Sequence, residues 1–317
     1  MDRINVHLDT DIGGDIDDLC ALALLLTWPG VEIAGITTVL EDRGRRAGCA
    51  RYTLDLAGRR DVPVAPGAAT SLGCFRRPEY GLLPEDRYWP DPVPPLPGPL
   101  AAALDLLQQS LERGAVIVAI GPVTNLSLLE RRAPGILRRA TLCLMGGRVN
   151  PPPPGFPDWG YENDFNFQAD PAAAKHVLEA ADPARTTVVP IEATAQTALR
   201  RADVPALRRA GRLGRLLARQ AEAYDRDWQN AAQFGRPYAG LPDDLINFQH
   251  DPLACAVALG WSGATVETLP VALALDEGWL RMRVDPDGRP LRVVTAVDRD
   301  AFNALWLDTV TRRPLPD

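Results

Sequence analysis

Lysine is almost missing from this chain. Lys175 is the only one among 317 residues, and every other long basic side chain is arginine. Lysine-dependent chemistry is thereby excluded from most of the sequence. The net charge is −7, with no basic run interleaved with aromatics, which excludes a nucleic-acid binder. The five cysteines (Cys20, Cys49, Cys74, Cys143 and Cys255) show no CxxC spacing, so neither a zinc knuckle nor a redox pair is expected. Cys20, Cys49, Cys143 and Cys255 sit in apolar surroundings and read as small core residues. No apolar stretch approaches the ~18 residues of a membrane span. The opening MDRINVHLDTD enters a strand at once, without the pattern of a secretory leader. A cytoplasmic protein that binds neither membrane nor nucleic acid is expected.

What the chain has in abundance is aspartate at one turn. Ile4, Val6 and Leu8 carry a strand into Asp9, Asp11, Asp15, Asp17 and Asp18, and an apolar helix follows immediately. Helix capping accounts for one or two acids beside a helix N-terminus, not five. Carboxylates this close repel one another unless a positive group lies among them, most simply a hard divalent cation with oxygen ligands. Gly13 and Gly14 permit a tight turn that folds these side chains inward.

Apolar strands then alternate with helices. Strands are expected at 4–8, 31–39, 62–66, 115–120, 140–145, 185–190, near 265–275 and at 291–297. Helices are expected at 17–28, 43–57, 100–114, after Asn125, 170–180, across 198–235, at 251–260 and at 300–312. This order predicts an α/β fold: one Rossmann-like domain over residues 1–317, with an open, mainly parallel sheet flanked by helices. Long loops at the carboxyl ends of the strands, 146–167 above all, would carry the site.

Three further polar clusters fall at strand ends. GPVTN (121–125) reads by itself as a turn with a cap. Glu162-Asn163-Asp164-Phe165-Asn166 mixes acids, amides and rings as a sugar site does, though a solvated loop has the same composition. His250-Asp251-Pro252 reads either as an ordinary helix start or as a polar pair at the mouth of a buried helix. His7 and His176 read as structural.

Taken together, DTDIGGDIDD (9–18), ITTVLED (36–42), GPVTN, MGG (145–147), DFN…DPAAA (164–174) and HDPLA (250–254) resemble, in order, the motifs of the inosine–uridine-preferring nucleoside hydrolases, calcium-dependent N-ribohydrolases. The resemblance spans roughly residues 4 to 310. It implies hydrolysis of a ribonucleoside to ribose and free base, and a homodimer or homotetramer. It also implies a Ca²⁺ held by Asp11, Asp18, the main-chain carbonyl of Thr124, and Asp251. Asp11 would orient and deprotonate the attacking water. Asp17 and Asn166 would hold the ribose hydroxyls, Asp164 would face the 5′-hydroxyl, Met145 would line the ribose pocket, and His250 would donate a proton to the leaving base.

The chain departs from the family pattern in ways that bear on substrate. Two extra residues make Asp15 an additional acid. Glu41-Asp42 replaces the usual Gly-Asn, placing Asp42 where an amide would meet a ribose hydroxyl. Asp164 stands for a glutamate, and Asn163 or Asp158 stands for a separate asparagine. Phe75-Arg76-Arg77-Pro78 occurs where a His-Gly pair is common. Trp159, Tyr161, Tyr224, Trp228, Tyr238 and Phe248 are candidates for a base pocket. Two alternatives stand beside this reading. One is a non-catalytic nucleoside- or sugar-binding protein. The other is a haloacid-dehalogenase-like phosphohydrolase, which Asp9-Thr10-Asp11 partly fits but which needs a lysine at the site.

Overall fold

The computed structural model describes residues 3–72, 86–90 and 92–312. From the amino end, β1 (Ile4–Thr10), α1 (Asp17–Thr27), β2 (Val31–Thr38), α2 (Arg45–Leu56) and β3 (Val64–Pro66) alternate. They are followed by α3 (Leu100–Glu112), β4 (Val116–Ala119), α4 (Thr124–Arg132), β5 (Thr141–Met145), α5 (Phe165–Ala169), α6 (Pro171–Ala180), β6 (Thr186–Val189) and α7 (Ile191–Thr194). A third stretch holds β7 (Ala198–Arg200), α8 (Val204–Arg209), α9 (Gly211–Trp228), β8 (Leu245–Phe248) and α10 (His250–Ala258). The chain closes with β9 (Ala264–Asp276), β10 (Trp279–Val284), β11 (Arg289–Val297) and α11 (Arg299–Arg312).

Nine strands form one sheet in the order β10-β9-β11-β6-β5-β4-β1-β2-β3. From β3 to β11 every pairing is parallel, and β9 runs antiparallel to both its neighbours. The winding reverses between β1 and β4. At such a switch point, the crevice beyond the carboxyl ends of the strands receives ligands in open α/β sheets. Asp9 of β1 lies there, paired with Ala119 of β4 and Thr37 of β2.

The two sheet faces bury separate cores because strand side chains alternate. Val118 and Cys143 join Val6, Leu8 and the apolar side of α1, α9, α10 and α11. Ile117 and Leu142 join α3, α4 and α6 on the other face. Helix α1 is buried along nearly its whole length, which explains why its apolar residues form a continuous run rather than a stripe. Cys20, Cys49, Cys143 and Cys255 are buried, as expected of core residues.

The expected strands and helices of the first half form, with ends differing by one to three residues. The differences lie elsewhere. Residues 198–235 are not helical throughout: β7 opens them and pairs antiparallel with β8. Strand β10 was not expected, because alternating arginines (Arg281, Arg283) dilute its apolar signal at the sheet edge. It is joined to β9 by a two-residue turn, Glu277-Gly278, with φ of 48° and 80° at those positions. The loop 146–167 gives way at its end to α5, capped by Asp164.

Candidate active site

The acids converge because three elements deliver them to the switch point. The turn after β1 carries Asp11 and Asp15, the first turn of α1 carries Asp17 and Asp18, and the first turn of α10 carries Asp251. Gly13, at φ 120°, lets the turn reverse. Carboxylate oxygens of Asp17, Asp18 and Asp251 lie within 4.8 Å of one another, and all three residues are buried. The Asp251 amide donates to Asp17 Oδ2 at 3.4 Å, and the Thr10 hydroxyl donates to Asp18 Oδ1. Burial, then mutual repulsion, pushes the carboxyls of Asp17, Asp18 and Asp251 well above the usual carboxylate range.

Asp11 borders this trio, and its charge is felt by Asp18 and Asp251. Burial raises its own carboxyl to about 6 against the pull of Arg46. Just beyond β4, a Cβ at Gly121 would stand 2.7 Å from Asp11 Oδ1 and push that carboxylate out of place. Asp15, the extra acid, lies farther along the cavity. Its Oδ1 accepts from Asn247 Nδ2 at 2.6 Å, and its Oδ2 accepts from the Tyr224 hydroxyl at 3.0 Å. Asp15 is ringed by protein yet open to the water of the cavity. Its carboxyl is still raised, chiefly by loss of hydration.

These acids floor a cavity of about 360 Å³, large enough for a nucleoside-sized ligand. Met145, Asn163, Asp164 and Asn166 line one side. Asn166 Nδ2 donates to the carbonyls of Ile120 (2.9 Å) and Met145 (3.2 Å), which leaves its oxygen as the remaining polar group. Asp164 is fixed by the Gly147 amide at 2.8 Å while capping α5, and burial lifts its carboxyl to about 7. His250 also lines the cavity, its Nδ1 2.6 Å from the Thr194 hydroxyl. Burial lowers its imidazole to about 4, so it is neutral at pH 7.

The opposite wall is aromatic. Trp228 stacks on Tyr224 (5.7 Å between centroids, 23° between planes), and Tyr88 approaches Tyr224 at 6.0 Å. Tyr224 and Trp228 belonged to the expected base pocket; Tyr88 did not, and nothing in its proline-rich surroundings marks it out. The other candidates lie elsewhere. Trp159, Tyr238 and Phe248 pack with Phe234 in a separate cluster, which supports the His250 ring from behind. Tyr161 packs on Trp279. Phe75 to Pro78 lie outside the described residues.

Two expected site residues do not border the cavity. Asp42 is half-buried and faces Arg45 at 3.7 Å. Thr124 is buried at the start of α4 with its hydroxyl on Asp170 Oδ2 at 2.7 Å, which leaves only its main chain for any ligand role. Glu41 turns away from the cavity as well. It accepts the amides of Asp42 (2.8 Å), Arg46 (3.0 Å) and Ala47 (3.0 Å), capping the entry to α2. His7 bridges Ser110 and Thr37, and His176 contacts Ser127, both as structural histidines do. Lys175 pairs with Glu179 one turn along α6 and does not line the cavity.

The family model for inosine-uridine preferring nucleoside hydrolases matches residues 6–304. The chain belongs to that family. Among curated nucleoside hydrolases, the non-specific ribonucleoside hydrolase RihC of Salmonella agona is 33% identical over 189 residues, 55% of this chain and 57% of the relative. The pyrimidine-specific ribonucleoside hydrolase RihA of Citrobacter koseri is 30% identical over 194 residues, 56% of this chain and 57% of the relative. The matches thus span a little over half the length of those relatives. Among solved structures, a purine-preferring ribonucleoside hydrolase from Gardnerella vaginalis superimposes with a TM-score of 0.76 at 24% identity, covering 97% of this chain and 98% of that one. A plant nucleoside hydrolase gives 0.77 at 24% identity, covering 97% and 99%. These likenesses establish the nucleoside hydrolase fold.

Proposed function

We propose that this chain hydrolyses the N-glycosidic bond of ribonucleosides, releasing ribose and the free base. One observation carries the reading: buried carboxylates of α1 and α10 meet at the floor of a nucleoside-sized cavity whose far wall is aromatic. Breaking the bond from C1′ to the base nitrogen builds positive charge on C1′ and the ring oxygen. Fixed carboxylates stabilise that oxocarbenium-like state more than the neutral substrate, which is the requirement for catalysis.

The donor set fits a hard divalent cation. It is all oxygen, buried and charge-crowded, and Asp11, Asp18 and Asp251 with the Thr124 main chain would hold Ca²⁺; Asp17 stands close enough to share the ion. Such an ion would balance the acids and help order the ribose diol. Asp11 takes the proton of the attacking water as its oxygen closes on C1′. Its raised proton affinity suits a general base, a role worth about 10²–10⁴-fold. Asp17 and Asn166 hold ribose hydroxyls, and Asp164 faces the 5′-hydroxyl. The base nitrogen receives the bonding pair and a proton while the ring lies against Tyr224 and Trp228. His250 contacts the base as a neutral imidazole, so any proton it delivers must first be taken up from solvent.

The test is release of free ribose from inosine, adenosine, uridine and cytidine, each with Ca²⁺ and with chelator. Turnover that a chelator abolishes and Ca²⁺ restores is expected. Absence of ribose release with Ca²⁺, together with phosphatase activity in Mg²⁺, would overturn the proposal.

A further inference from the structure

Arg46 is a charged side chain for which the proposed reaction has no role. It leaves the first turn of α2, is 1% exposed, and lines the cavity together with Asp11 and Asp18. Its placement is built in. Nε donates to the Leu40 carbonyl at 2.9 Å, and Nη1 donates to the carbonyls of Asp11 and Ile12, the latter at 3.2 Å. The carboxylate of Glu41 grips the Arg46 amide and so sets the angle at which α2 presents the side chain. The guanidinium is therefore fastened to the backbone of the acidic turn. Its positive charge thus sits in the same basin as the Asp11 and Asp18 side chains.

Asp17, Asp18 and Asp251 are buried against one another with Asp11 at their border, and such a group must be protonated, dispersed or balanced. We infer that Arg46 is the resident counter-charge of this cluster: a positioning residue that keeps the acids assembled before a divalent cation arrives, and that weakens the cation's hold once it is there. The inference rests on the divalent-cation reading given above. A fixed monovalent cation in the same basin repels a second cation, so its removal must tighten divalent binding while making the metal-free protein more dependent on metal.

The test uses the full chain stripped with chelator, titrated with CaCl₂ by calorimetry, with the melting temperature followed in parallel. Arg46→Gln removes the charge, and Arg46→Lys keeps the charge but loses the planar fork. The expected result is Ca²⁺ binding at least ~10-fold tighter in R46Q than in the unaltered protein, tenfold being about 1.4 kcal/mol. R46K should stay within about threefold of the unaltered protein, on the tenfold scale just cited. The rise in melting temperature on adding Ca²⁺ should be largest in R46Q. A variant R46Q that folds only when Ca²⁺ is present would support the inference equally. Equal or weaker Ca²⁺ binding in R46Q would overturn it, reducing Arg46 to a brace for the turn. So would failure of R46Q to fold even with Ca²⁺, because a metal would then be unable to replace the guanidinium. If the unaltered protein itself shows no response to Ca²⁺, the divalent-cation reading fails, and that outcome is distinct from a response that R46Q merely shares.

Discussion

The two ends of the cavity are built by different means. The acidic end comes from the turn after β1, the first turn of α1 and the first turn of α10, which follows β8 of the two-stranded sheet, and the Asp251 amide ties α10 to Asp17 Oδ2. The aromatic end comes from the far tip of the long helix α9 and from Tyr88, which the sheet does not fix directly. Asp15 joins the two, since it leaves the acidic turn and receives the Tyr224 hydroxyl. The contrast separates chemistry from recognition. The acidic end is placed by a short turn and two helix starts, and the aromatic end by the far tip of a long helix.

Four perturbations test that division, beginning with the strongest. With Ca²⁺ saturating, Asp11→Asn, at the acidic end, should lower kcat on inosine by roughly 10³-fold with little change in KM, the size expected for loss of a general base. A loss confined to KM would move Asp11 into the recognition end. Trp228→Ala should act the other way: base stacking worth about 1–3 kcal/mol predicts a KM rise of roughly 5- to 100-fold, larger for purine than pyrimidine nucleosides, with kcat nearly kept. A collapse of kcat would show that the aromatic wall takes part in the chemistry.

His250→Ala lies between the two. It should slow inosine about tenfold or more while leaving p-nitrophenyl riboside, whose leaving group needs no proton, nearly unaffected. Equal losses on both substrates would remove the acid role. The mildest effect concerns pH and stability. Burial raises Asp9 and Asp164 from 3.8 to about 7. Between those values the folded protein binds protons that the unfolded chain has released, so stability falls as pH rises, and the loss is complete above about 7. The metal-stripped protein should therefore melt several degrees higher at pH 5 than at pH 8, by calorimetry. His7 and His250, held neutral by burial, work the other way below pH 6.5, and the reverse order would mean that they outweigh the acids.

The same contrast explains how much the sequence revealed. Asp11, Asp17 and Asp18 stand out because five acids at one turn exceed what capping needs, whereas Asp251 reads equally as an ordinary helix start until the family motifs are set beside it; the structure brings the four together. Asn163, Asp164 and Asn166 were legible as acids and amides between rings. Arg46 was not: one arginine among many, on a helix, carries no mark of the direction it faces. Asn247 and Tyr88 were hidden for the same reason, since their meeting with the site depends on chain packing far from their own motifs. The six aromatics show the converse. Composition offers them equally as a base wall or as ordinary core, and packing puts Tyr224 and Trp228 on the cavity but Trp159, Tyr238 and Phe248 in a separate cluster. In the fold, the parallel sheet was legible from its apolar runs, and the antiparallel edge was obscured by the arginines of β10.

The proline-rich segment before α3 crosses α2 at two glycines. Leu96 donates its amide to the Gly44 carbonyl at 2.8 Å, and a Cβ on Gly48 would stand 2.3 Å from the Pro94 carbonyl. The segment therefore cannot lift without exposing the helix that carries Arg46. In hydrogen–deuterium exchange, the Leu96 amide should open together with the amides of α2, as one cooperative unit rather than as a loop and a helix with separate lifetimes.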